Sequence, residues 1–120
     1  MNIFICYDRC TTCIKAERWL ADNGIEYIKR PIKEENPTAE ELKEFSEKSG
    51  RAPSKMFNTS GILYRQNGIK DRLPLMTEDE MFRLLATDGM MVKRPILVSE
   101  DTVLFGFKEE EWKKALLDTH

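Results

Sequence analysis

A chain of 120 residues, 41% hydrophobic and 33% charged, has apolar material for one compact core and too little for two. Its net charge of −2, with acidic and basic side chains interspersed, argues against a nucleic-acid surface. No apolar run approaches the roughly 20 residues that a membrane-spanning helix requires, and the N-terminus reads as a strand rather than a signal peptide, so a cytoplasmic location is expected.

Residues 3–7, Ile-Phe-Ile-Cys-Tyr, form a nearly continuous apolar run, as expected of a strand covered on both faces. Cys6 within it reads as a small buried thiol. Asp8 and Arg9 turn the chain into Cys10-Thr11-Thr12-Cys13. A helix is expected over residues 11–23, because Cys13, Ala16 and Leu20 recur at helical spacing with Trp19 beside them. Asn23-Gly24 is its stop. Tyr27 and Ile28 then fall in a short strand whose length Pro31 limits. Strand, helix and strand with short joints predict a parallel, right-handed unit. Its ligand site is expected at the carboxyl end of the first strand.

The middle of the chain reads as helical. Asn36-Pro37 breaks the path, and Thr38 with Glu41 forms a capping box for a helix with Ala39, Leu42 and Phe45 inward and Gly50 at its end. Met56-Phe57 and Ile62-Leu63-Tyr64 are placed on short helices, the second capped from Asn58-Thr59-Ser60. Thr77 and Glu80 make a second capping box, with Met76 and Met81 as a staple and Gly89 as the stop. A third strand is expected from Pro95 to Val98 and a fourth from Thr102 to Phe105, joined as a hairpin through Ser99-Glu100-Asp101. The final helix spans residues 109–117 with Trp112, Ala115 and Leu116 inward. The outcome is an α/β fold with a four-stranded mixed sheet, β-α-β then β-β-α, from residues 1–36 and 90–120. A helical insertion occupies about 37–89.

The cysteine pair has a definite chemical consequence. Cys10 sits at a helix start, where unpaired N–H groups and the positive end of the dipole favour a thiolate. Cys13 lies about one turn further on, close enough to form a disulfide with it. Zinc is the rival reading, but a closed site takes about four ligands. Beyond the pair the chain offers only Cys6 and His120.

The pair after the first strand, the order of elements and the proline opening the third strand resemble the thioredoxin fold. In that fold the matching proline is cis, so Arg94-Pro95 is expected to be cis as well. More narrowly, the stretch from Cys10 to Ala16, Lys93-Arg94-Pro95-Ile96, Phe57-Asn58-Thr59-Ser60-Gly61 and Leu84 to Met90 resemble the arsenate reductase (ArsC) family, which includes Spx-type regulators. The resemblance makes Cys10 the nucleophile, Cys13 the second cysteine of an Spx-like pair and Arg94 an anion-site arginine. Thr11, Thr12 and Pro95 would line the substrate. No metal or organic cofactor is implied. The implied partners are a thiol reductant system (glutathione/glutaredoxin or thioredoxin), an oxidised substrate and, if the chain is Spx-like, RNA polymerase.

Arsenate reductases of this class bring three arginines to the oxyanion. Here the insertion offers Ser54 or Asn58, with Arg51 and Arg65 nearby, and the fourth strand ends in Gly106-Phe107. Only Arg94 is matched. Each lost guanidinium removes charge-assisted contacts worth about 1.5–3 kcal/mol. The leading expectation is therefore a thiol–disulfide oxidoreductase. A redox-sensing regulator comes second and arsenate reduction third.

Overall fold

The computed structural model describes residues 1–118; His120, weighed above as a metal ligand, lies outside the described residues. Four strands form one sheet: β1 (Ile3–Cys6), β2 (Ile28–Pro31), β3 (Ile96–Val98) and β4 (Val103–Phe105). Their order is β2-β1-β3-β4. β1 pairs with β2 in parallel and with β3 antiparallel, and β3 pairs antiparallel with β4. This is the mixed α/β sheet of the thioredoxin fold. Pro31 is tolerated as the last residue of an edge strand, where one missing N–H costs the ladder little.

The chain divides into two compact units, one of residues 1–31 with the segment from Arg94 onward, the other Ile32–Lys93. In the first, the register places Phe4 beside Leu97 and Leu97 beside Leu104 on one face. That face packs with Cys6, Cys13, Ala16 and Leu20 and with Trp112 of the last helix. On the opposite face Ile5, Ile96 and Phe105 align and are also buried. Burial on both faces accounts for the absence of polar alternation along these strands.

Helix α1 (Thr11–Asp22) buries Cys13, Ala16 and Leu20, as its periodicity predicts. Gly24 follows with φ +65°, a conformation that ends helices readily at glycine. Helix α6 (Glu109–Leu116) buries Trp112 and leaves its acidic first turn outward, where carboxylates oppose the dipole favourably. The hairpin turn is closed by Ser99, whose hydroxyl donates to the Thr102 carbonyl and accepts from its N–H.

In the second unit, α2 (Ala39–Ser49) begins in a complete capping box between Thr38 and Glu41. It ends at Gly50 in the left-handed region. Two short helices follow, α3 (Ile62–Gln66) and α4 (Ile69–Arg72). Helix α5 (Glu78–Leu85) carries the second complete box, Thr77 with Glu80, and buries Met81, Phe82 and Leu85. Helices α2 and α5 pack against each other.

Four local expectations are corrected. Tyr27 lies before β2, which begins at Ile28. Phe57 is not helical: it makes an isolated antiparallel bridge to Val92, and the Lys93 N–H donates to the Met56 carbonyl at 2.8 Å. The cap of α3 is Gly61, which has no side chain to offer; the Asn58 backbone carbonyl accepts the Gly61 N–H at 3.1 Å and closes the preceding turn. Gly89 does not stop α5, which ends at Ala86. Its place is dictated by close approach instead: a Cβ there would overlap the Ile32 carbonyl oxygen. Among the described residues no helix is long and apolar enough to cross a membrane.

Candidate functional site

The site begins at the carboxyl end of β1. The Cys10 N–H donates to the Tyr7 carbonyl at 3.0 Å, closing the turn that carries Asp8 and Arg9. Cys10 is then the N-cap of α1, with extended backbone angles, and its carbonyl accepts from Ile14 at 3.0 Å. No acidic residue occupies the first turn of α1. The positive end of the helix is therefore unopposed by its own side chains. Thr11 and Thr12 are exposed there, Cys10 is partly buried, and Cys13 faces the core with 3% of its surface exposed.

This placement separates two chemically identical groups. Burial works against ionisation of Cys10. The N–H and thiol of Cys13, the Arg94 guanidinium bonded to its sulfur and the charge of Arg94 work for it and prevail, so the thiol is held below its ordinary value. Burial pushes the Cys13 thiol up to about 12, and the adjacent Cys10 sulfur adds to that rise against a backbone bond from Tyr7. The Tyr7 N–H donates to Cys13 Sγ at 3.5 Å. Cys6 shares the same core cluster, and burial raises its thiol to about 11. All three cysteines are free thiols.

Arg94 and Pro95 come from the segment just before β3. The Arg94-Pro95 bond is cis, as the resemblance implies. Pro95 is buried, and its carbonyl accepts the Gly106 N–H at 2.8 Å. The Gly106 carbonyl accepts Trp112 Nε1 at 3.0 Å. The proline is thus tied through the end of β4 to α6. At Gly106-Phe107, where the resemblance implies an oxyanion arginine, Phe107 packs its ring 5.0 Å from Trp112 and 6.1 Å from Trp19. That corner is an aromatic cluster. All six residues expected at the site lie in the first unit: Cys10 at the N-cap of α1, Thr11, Thr12 and Cys13 at the start of α1, and Arg94 and Pro95 just before β3.

Two features escaped sequence reading. The Tyr7 ring lies under the Arg94 guanidinium, 5.4 Å from centroid to Cζ. An amphipathic aromatic at the end of the first strand was the signal that could have flagged it. The second is a polar network behind the turn. Lys29 on β2 reaches Asp8 at 3.0 Å and Glu17 at 3.3 Å, and Glu17 also accepts the Tyr27 hydroxyl at 2.7 Å. The hydrogen bond that Lys29 donates to Asp8 raises the Lys29 pKa. Each pair is exposed enough to contribute only about 0.2–1 kcal/mol, so the network serves to place the turn more than to stabilise the fold. Among the described residues there is no group of three or more potential metal ligands.

A four-stranded sheet with a cysteine pair following its first strand, an arginine bonded to the first cysteine and a cis-proline just before the third strand define a thioredoxin-fold protein with a thiol site. Residues 6–115 match the ArsC family. The chain belongs to that family. It is 45% identical over 111 residues to the uncharacterized protein YusI of Bacillus subtilis, covering 92% of this chain and 94% of YusI. It is 31% identical over 108 residues to the global transcriptional regulator Spx 2 of Bacillus cereus, covering 89% and 80% respectively. Among solved structures, an ArsC family related protein from Bacteroides fragilis superposes with a TM-score of 0.91 at 50% identity, covering 94% of this chain and 97% of that one.

Proposed function

We propose that the protein is a cytoplasmic thiol–disulfide oxidoreductase in which Cys10 attacks and Cys13 resolves. The observation that carries this reading is the opposite perturbation of two neighbouring thiols, Cys10 lowered and part-exposed, Cys13 raised and buried. The Cys10 thiolate attacks one sulfur of an oxidised substrate disulfide. A Cys10–substrate S–S bond forms, the substrate S–S bond breaks, and the departing thiolate takes up a proton. Cys13 then loses its proton and attacks Cys10 Sγ, which forms the internal disulfide and expels the second substrate thiol. Two electrons have passed from the pair to the substrate, and a glutathione/glutaredoxin or thioredoxin system returns them. Arg94 steadies the thiolate as a fixed cation. Thr11, Thr12 and Pro95 border the approach to Cys10.

The sign of the pH dependence follows from the thiolate being the nucleophile. Alkylation at Cys10 by iodoacetamide is expected to reach half its plateau rate below the pH of an ordinary thiol, while Cys13 stays unreactive until strongly alkaline pH. Mass spectrometry of peptides after timed alkylation measures both. Equal labelling of the two cysteines along a free-thiol pH profile would remove the reading.

Kinship with Spx 2 favours a second reading, in which oxidation of the same pair switches a binding surface without turnover. Under it, RNA polymerase from the native host is expected to be captured differently by the oxidised and reduced protein in a pull-down. Capture in neither state counts against it. Arsenate reduction is the least favoured, since Gly106-Phe107 occupies the place where the resemblance implies a further arginine and only Arg94 is matched.

A further inference from the structure

We propose that Tyr7 is the positioning residue of this site, its ring seating the Arg94 guanidinium beside the Cys10 sulfur while its backbone holds both cysteines. The inference rests on the oxidoreductase reading and concerns how that site comes to hold a thiolate.

Tyr7 is the residue at which the parts meet. Its carbonyl takes the Cys10 N–H at 3.0 Å, its N–H reaches Cys13 Sγ at 3.5 Å, and its ring lies 5.4 Å from Arg94 Cζ. The two backbone contacts would persist with another side chain. The ring contact would not, so the side chain has a separable role. An arginine side chain samples many rotamers unless a flat partner restricts them. An aromatic face attracts the cation electrostatically and leaves the N–H edge of the guanidinium for an anion. Here the anion is the Cys10 sulfur, to which Arg94 contributes both a hydrogen bond and a charge. The other groups acting around the pair are accounted for separately. Cys13 comes from α1 and Cys6 from β1, while Lys29, Asp8 and Glu17 act on Cys6. None of them replaces a displaced guanidinium. The tyrosine hydroxyl has no part in this account, so phenylalanine should serve equally.

The test is the thiolate absorbance of the whole protein followed against pH, with circular dichroism to verify folding. Tyr7→Leu is expected to lower the thiolate fraction at pH 7 by about threefold to tenfold, the range of a cation–π contact. Tyr7→Phe should titrate as the parent does. In an Arg94→Ala background, Tyr7→Leu should change nothing further. If Tyr7→Leu does not fold, Tyr7→Met carries the same expectation. The inference is overturned if Arg94→Ala raises the titration midpoint while Tyr7→Leu leaves it in place, or if Tyr7→Phe shifts it as far as Tyr7→Leu. An ordinary-thiol midpoint in the parent protein, unmoved by Arg94→Ala, overturns the oxidoreductase reading itself and this inference with it.

Discussion

Replacing Cys10 with serine is expected to abolish disulfide exchange, whereas replacing Cys13 is expected to stop the reaction half-way. The asymmetry comes from where each sulfur sits. Cys10 is part-exposed and its thiol is held below its ordinary value, so in the proposed exchange it would make the first bond to substrate. Cys13 is buried and its thiol is pushed up to about 12, so it cannot compete for that step. Part of what raises it is the neighbouring Cys10 sulfur. Once Cys10 is tied up in a mixed disulfide its negative charge is gone, that repulsion ends, and Cys13 becomes easier to deprotonate when its attack is needed. In a single turnover with glutathione disulfide and no added reductant, intact mass should show the internal disulfide in the parent protein. Cys13→Ser should accumulate the glutathione adduct on Cys10, and Cys10→Ser should remain unmodified. Serine at position 13 retains a hydroxyl that can donate to the Cys10 sulfur, so adduct formation should keep nearly its parental rate. Cys13→Ala lacks that donor and should react more slowly. An adduct on Cys13 in the Cys10→Ser protein would reverse the assignment.

The largest effect on stability is expected at Trp112. Its side chain is fully buried and its Nε1 donates to the Gly106 carbonyl at 3.0 Å. Its ring meets Phe107, Trp19 and Phe4 edge-on at 5.0, 6.2 and 6.4 Å. Trp112→Ala removes a large core side chain, a change that typically costs about 3–5 kcal/mol, and also leaves the Gly106 carbonyl without its donor. Domains of this kind have only about 5–15 kcal/mol in hand, so the variant should unfold at a much lower denaturant concentration. Trp112→Phe keeps most of the volume and loses the hydrogen bond, so it should fall between the two. Guanidinium titrations followed by circular dichroism give the values, and a loss below about 1.5 kcal/mol, the mark of a tolerated core swap, would contradict the packing described.

What was legible in the sequence was what physical chemistry writes within one helical turn. Thr38 with Glu41, Thr77 with Glu80, and Gly50 state their roles in a few residues, and the helices begin and end at those points. Cys10 at the start of α1 was legible for the same reason. Contacts between distant segments have no such local signature. The bridge from Phe57 to Val92, the bond from Lys29 to Asp8 and the ring of Tyr7 under Arg94 join residues that nothing nearby in the chain connects. Gly89 shows the difference most clearly. Its position after a helix suggested a stop signal, but the requirement comes from the Ile32 carbonyl pressed against it. The cis bond before Pro95 became an expectation only through resemblance, since an Arg-Pro pair alone favours trans.

The edge position of β2 bears on how the molecules behave towards one another. An open sheet margin can template strands from other copies and so seed fibres. Here that margin is four residues long and closes on an imino acid with no N–H to lend. Strand addition from another copy finds little purchase along it.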